Sequence, residues 1–86
     1  MEAIALKDKD MVYREEGDES LIFDPATGSI KILNTTATFI WKQLKNNPQR
    51  ASVLEALKKE FPDRDEDSLG RDLDAFIDSL REMGLV

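Results

Sequence analysis

The hydrophobic period of the chain changes once, at Asn34, and no other feature constrains the fold as much. Before it, "SIKIL" (29–33) alternates: Ile30 and Ile32 share one face, and Ser29, Lys31 and Leu33 the other. After it, Ala37, Ile40, Trp41 and Leu44 recur at the i, i+3, i+4, i+7 spacing of a helical stripe. A strand therefore runs into a helix with a single residue between them. Such a strand is held stiffly, as suits a sheet edge with which another chain pairs.

Upstream of the switch the pattern is strand and turn. "MVYRE" (11–15) has strand-type residues, and "EGDE" (16–19) supplies a turn. "SLIFD" (20–24) is apolar on both faces, with Leu21 and Phe23 on one and Ile22 on the other. In "DPATG" (24–28) Asp24 can bond forward to the backbone, Pro25 pre-sets φ, and Gly28 tolerates positive φ. The expectation is a three-stranded antiparallel meander with strands 11–15 and 29–33 at its edges.

Downstream everything reads as helix. Asn34 or Thr35 is placed to cap the first helix, with Phe39 off its stripe. "KNNPQ" breaks the chain, with Asn47 expected as the next N-cap and Pro48 as the first helical residue. The second helix should run to about Glu60 with Val53, Leu54, Leu57 and Phe61 on one side, and Pro62 stops it. The third starts near Asp65, with Glu66 and Asp67 favouring its N-terminal dipole, and carries Leu69, Leu73, Phe76, Ile77 and Leu80. Gly84 should end it in a left-handed turn, with Leu85 packing back. The predicted order is βββααα, an α+β domain over 11–86, behind a largely charged, loosely ordered arm at 1–10.

Composition removes several function classes. The 86 residues make one domain, with no cysteine and no histidine. Disulfides, Cys/His zinc sites and thiol or imidazole catalysis are excluded, and the carboxylates are spread over solvated faces. No enzyme and no cofactor is expected. Asp63, Asp65 and Asp67 alternate like calcium-loop ligands, but the loop's glycine and glutamate places hold Ser68 and Asp74. A helix N-terminus explains that acidic run. No apolar stretch approaches membrane-spanning length, so a cytoplasmic protein is expected.

The net charge of −6 argues against nucleic acid. A winged-helix reading needs a basic helix for the major groove, and the third helix offers Arg71 and Arg81 against seven acids from Asp65 to Glu82. The 29–33 edge offers unpaired backbone groups to an added strand, although Lys31 is the kind of residue that guards an edge. The residues alone leave open a peptide-binding module and a winged-helix DNA-binding or protein-scaffold domain.

Taken together, the motifs resemble the PqqD-like proteins, small peptide chaperones also described as recognition elements for ribosomally made precursor peptides. The resemblance rests on Asp24, Pro25, Thr27 and Gly28; on Leu33, Asn34, Thr36, Ala37, Ile40 and Trp41; and on Asp72, Leu73, Phe76, Ile77, Gly84, Leu85 and Val86. It spans about residues 11–86. The family's frequent Gly-x-x-Thr opening of the second helix is replaced by "NNPQ", which should cap that helix by another route.

The resemblance implies a winged-helix-like fold and a leader peptide added antiparallel to the 29–33 strand, in a groove beside the third helix. It further implies delivery to a maturation enzyme, often a radical S-adenosylmethionine enzyme. The peptide-binding residues it implies are Ser29, Ile30, Lys31, Ile32 and Leu33, with Asp72 and Phe76 from the family pattern. Ser79 and Met83 continue their helical face. A stand-alone monomer is expected, with no nucleic acid or membrane partner.

Overall fold

The computed structural model of the chain describes residues 11–85. The expected 1–10 arm and Val86 lie outside the described residues. Three strands come first: β1 (Val12–Glu16), β2 (Glu19–Asp24) and β3 (Ser29–Leu33). Three helices follow: α1 (Thr35–Asn46), α2 (Arg50–Glu60) and α3 (Glu66–Glu82). The sheet is antiparallel in the order β1-β2-β3, so β1 and β3 are its edges.

The turns follow from local chemistry. Gly17 opens the two-residue β1–β2 hairpin at φ 66°, where glycine is unstrained. At the β2–β3 turn the Ala26 N–H donates to Asp24 Oδ1 at 2.9 Å and the Gly28 N–H to the Asp24 carbonyl at 2.7 Å. Gly28 then takes φ 78°. Asp24 is thus a buried turn-former, which accounts physically for the "DPATG" motif.

Register sets the two faces of the sheet. Ile22 lies opposite Lys31, and Ser20 opposite Leu33. Ser20, Ile22, Asp24 and Leu33 are buried, so this face meets the helices. Phe23 lies between Val12 and Ile30, and Leu21 between Arg14 and Ile32, on the opposite face. The core gathers Ile22, Leu33, Ile40, Trp41, Leu44, Val53, Leu57 and the α3 stripe Leu69, Leu73, Phe76, Ile77 and Leu80, closed by Leu85.

The helix ends are individually explained. Asn34 Oδ1 accepts the Ala37 N–H at 2.9 Å, and Asp65 Oδ1 accepts the Ser68 N–H at 2.7 Å. The acidic run is therefore the start of α3. After α3 the Leu85 N–H reaches the Leu80 carbonyl and the Gly84 N–H the Arg81 carbonyl, a Schellman motif with Gly84 at φ 74°.

The start of α2 corrects the sequence expectation. Asn47 closes α1 instead, its N–H bonding the Gln43 carbonyl, and helix begins only at Arg50. Gln49 occupies the N-cap without a side-chain cap bond, so "NNPQ" does not restore capping by another route. Pro48 keeps Asn47 extended at φ −150°, ψ 97°, which ends α1, and the Gln49 N–H closes back on the Asn47 carbonyl at 2.8 Å, so the first carbonyl of the helical ladder is that of Gln49, accepting from Val53. Thr38 is a second difference. It is buried beside the stripe, while Ala37 is only partly buried. Its hydroxyl donates to the Leu33 carbonyl at 3.3 Å and lies 2.7 Å from Ser20 Oγ, so the Ser20 hydroxyl must be the donor to Thr38. This pair ties α1 to β2 and β3 where strand passes into helix.

Candidate functional site

A groove of about 320 Å³ runs along the edge of β3. Lys31 of β3 forms one wall, with Ile32 meeting the groove only at the strand's rim because its side chain alternates onto the other face, and Asp72, Ala75, Phe76 and Ser79 of α3 form the other wall. Thr36, Ala37 and Ile40 of α1 line it between them, with Glu19 and Asn34 at its margin. The α1 cap holds the groove's shape, because Asn34 fixes the direction in which α1 leaves the strand.

The two sheet edges differ in chemistry. β1 is charged: Arg14 pairs with Glu16 at 2.9 Å, and Glu15 pairs with Lys42 of α1 at 2.9 Å. That contact lowers the Glu15 pKa, chiefly through the Lys42 hydrogen bond and then that of Tyr13, and raises the Lys42 pKa. The edge of β3 has only Lys31 as a charge, and this side chain takes the groove-facing side. Ile30 and Ile32 are 62% and 65% exposed on the other. The guard expected of Lys31 therefore covers one flank of the edge only.

The sequence-expected site residues divide by position. Lys31, Ile32, Asp72, Phe76 and Ser79 meet along the groove. Ser29 and Ile30 belong to the same exposed edge just beyond it. Leu33 is fully buried in the core, and its carbonyl accepts the Thr38 hydroxyl, so it anchors the strand rather than facing a partner. Met83 is the C-cap of α3 and packs against the core, away from the groove lining. Phe76 is itself 5% exposed, a core residue with one edge toward the groove.

The α1 lining residues Thr36, Ala37 and Ile40, with Glu19 and Asn34, are not among the expected site residues, and two further contributors also escape sequence reasoning. Ala75 opens the α3 wall by being small. Arg64, in the α2–α3 loop, donates to Thr36 Oγ1 at 3.3 Å, to Ser68 Oγ at 2.6 Å and to Asp72 Oδ2. It joins the start of α1 to α3 and orients Asp72. Arginine two residues after Pro62 carried no local signal of this role. Among the described residues no group of three or more acidic side chains is arranged to hold a metal ion, and no helix is long and apolar enough to cross a membrane.

Residues 19–86 match the family of Coenzyme PQQ synthesis protein D (PqqD), which takes in β2, β3 and all three helices. The chain belongs to the PqqD family. No curated protein sequence matches it. Its fold is similar to that of TbiB1 in a structure described as "TbiB1 in Complex with the TbiA(beta) Leader Peptide". The TM-score is 0.79 at 24% identity, covering 93% of this chain and 91% of that one. The likeness confirms three antiparallel strands followed by three helices as a PqqD-type fold, with β1 included although the family match begins at residue 19.

Proposed function

We propose that this PqqD-family protein is a non-catalytic chaperone that binds the leader segment of a ribosomally made precursor peptide. The leader adds as an antiparallel strand to β3 at Ser29–Leu33, with alternate side chains entering the groove beside α3. The complex is then presented to a maturation enzyme; a radical S-adenosylmethionine enzyme fits the family resemblance. The observation that carries this reading is the edge of β3 lying beside a partly apolar groove, while the β1 edge carries the charged side chains Arg14, Glu15 and Glu16 and has no such groove among the described residues. The binding of a leader peptide by TbiB1, which shares the fold, supports it. The groove's polar groups include no imidazole or thiol, in keeping with binding without chemistry.

The energetics are adequate. Four to six backbone hydrogen bonds at about 0.5–1.5 kcal/mol, and two or three buried side chains at about 1.5–3, give a gross gain of about 5–18 kcal/mol. Ordering the leader and immobilising it remove much of this. A Kd of about 0.1–10 μM is expected. The test is amide hydrogen exchange with and without the leader of any short precursor peptide found encoded beside this gene. Protection should rise along 29–33 and on α3 near Asp72 and Phe76. Protection confined to α2 or β1 would refute the site.

A further inference from the structure

Ile30 and Ile32 stand out among the exposed residues. Within 11–85 only they and Val12 are large, apolar and exposed. All three lie on the sheet face turned away from the helices, in rows set by the register: Val12–Phe23–Ile30 and Arg14–Leu21–Ile32. Phe23 and Leu21 are partly buried because they have a strand on each side. Ile30 and Ile32 have a neighbour on one side only.

Resting on the strand-addition reading, we propose that the leader is read on both of its faces, and that Ile30 and Ile32 are specificity-determining residues for the face turned away from the groove. A strand added to β3 must place alternate side chains on opposite faces of the sheet. One set enters the groove toward Ala75 and Phe76. The other set continues the two outer rows and lies against Ile30 and Ile32, giving each its missing cross-strand neighbour. The ligand class is thus a segment with apolar, β-branched or aromatic residues at consecutive positions, rather than one with apolar residues only at every second position. The occupant is the leader strand itself, because the outer rows continue directly from the edge at which it would pair.

The experiment uses a displayed library of random 12-residue peptides selected on the full chain, retaining those that protect amides 29–33 from exchange. Wild-type selections should enrich apolar residues at three or more consecutive positions. The Ile30→Thr/Ile32→Thr double variant keeps β-branching and alters only exposed side chains, so its melting should be unchanged. It should bind the same peptides more weakly, by about 1.5- to 5-fold for each residue replaced. Because the chain has no cysteine, Ile32→Cys and Lys31→Cys report the two faces directly. With single-cysteine peptides they should capture alternating, non-overlapping sets of positions. Peptides that protect 29–33 yet are apolar only at alternate positions, and bind the double variant as tightly, would overturn two-faced reading while leaving strand addition intact. If no selected peptide protects 29–33, strand addition itself fails and this inference with it.

Discussion

Trp41 shows how much one residue carries in a small domain. It is 5% exposed, stacks on Tyr13 with ring centres 5.9 Å apart, and has Lys45 Nζ 5.0 Å from its ring centre. It is therefore a packing element between α1 and β1 and lies outside the groove. Trp41→Ala should cost about 3–5 kcal/mol, a large part of the total for a domain of this size. Urea unfolding measures it, and an unshifted midpoint would contradict the assignment. Arg64 is the other residue with reach. Its partner Asp72 and Arg64 itself are partly exposed, so the pair is worth little as a charge interaction. Arg64→Met should cost only about 1 kcal/mol, mainly through lost hydrogen bonds to Thr36 and Ser68. Its larger effect should be on leader affinity, because Asp72 loses the group that orients it. Calorimetry on the variant checks this: equal affinity would make Arg64 a brace without a role in binding.

At the scale of elements, β3 is fixed at both ends. The Asp24–Gly28 turn sets its start, and Asn34 and the Ser20–Thr38–Leu33 hydrogen bonds set its end. A strand held in this way enters binding already ordered, so the entropy cost falls on the leader. Successive N–H groups of an edge strand alternate between the neighbouring strand and the open side. Of Lys31→Pro and Ile32→Pro, one should therefore weaken the β2–β3 ladder and lower thermal stability. The other should leave the fold intact and reduce leader affinity tenfold or more. Thermal melts paired with titrations distinguish them. Two proline variants that both bind normally would rule out pairing at this edge.

For the molecule as a whole, charge and titration set the working range. Glu15 is held below its ordinary value of 4.5 by its hydrogen bonds to Lys42 and Tyr13, so its contribution is present above that value and is lost as pH falls through the lowered pKa. Tyr13 is raised above 10.0, chiefly by burial; Lys42 is raised above 10.5 by Glu15, and Lys58 by Glu55. The contributions of these three are complete below their ordinary values and are lost as pH climbs through the raised ones. With no histidine in the chain, stability should be level between about pH 6 and 9. Melting temperatures across that interval test it, and a sigmoidal step near pH 6.5 would contradict it. The excess of acid also makes a steep salt dependence of the phosphate-neutralising kind unexpected for binding.

Sequence alone sets the kinds and order of the elements, because periods of 2 and 3.6 and the capping chemistry of Asn34, Asp65 and Gly84 are local. It placed β3 within its observed bounds and named the buried stripe of α3 in full. It also supplied the motifs that carry the family resemblance. It did not determine where α2 begins, since Asn47 could serve either helix and only the chain path through Pro48 decides. Nor could it show that Lys31 turns toward the groove while Ile30 and Ile32 stay uncovered. Alternation tells which residues share a face, but which face the helices cover depends on packing between distant segments. The placing of Ser79 in the groove and Met83 outside it depends on where α3 passes the sheet and ends against the core. Arg64 shows the same dependence at longer range: its partners Thr36 and Asp72 lie 28 and 8 residues away, and only the folded chain brings them to one guanidinium.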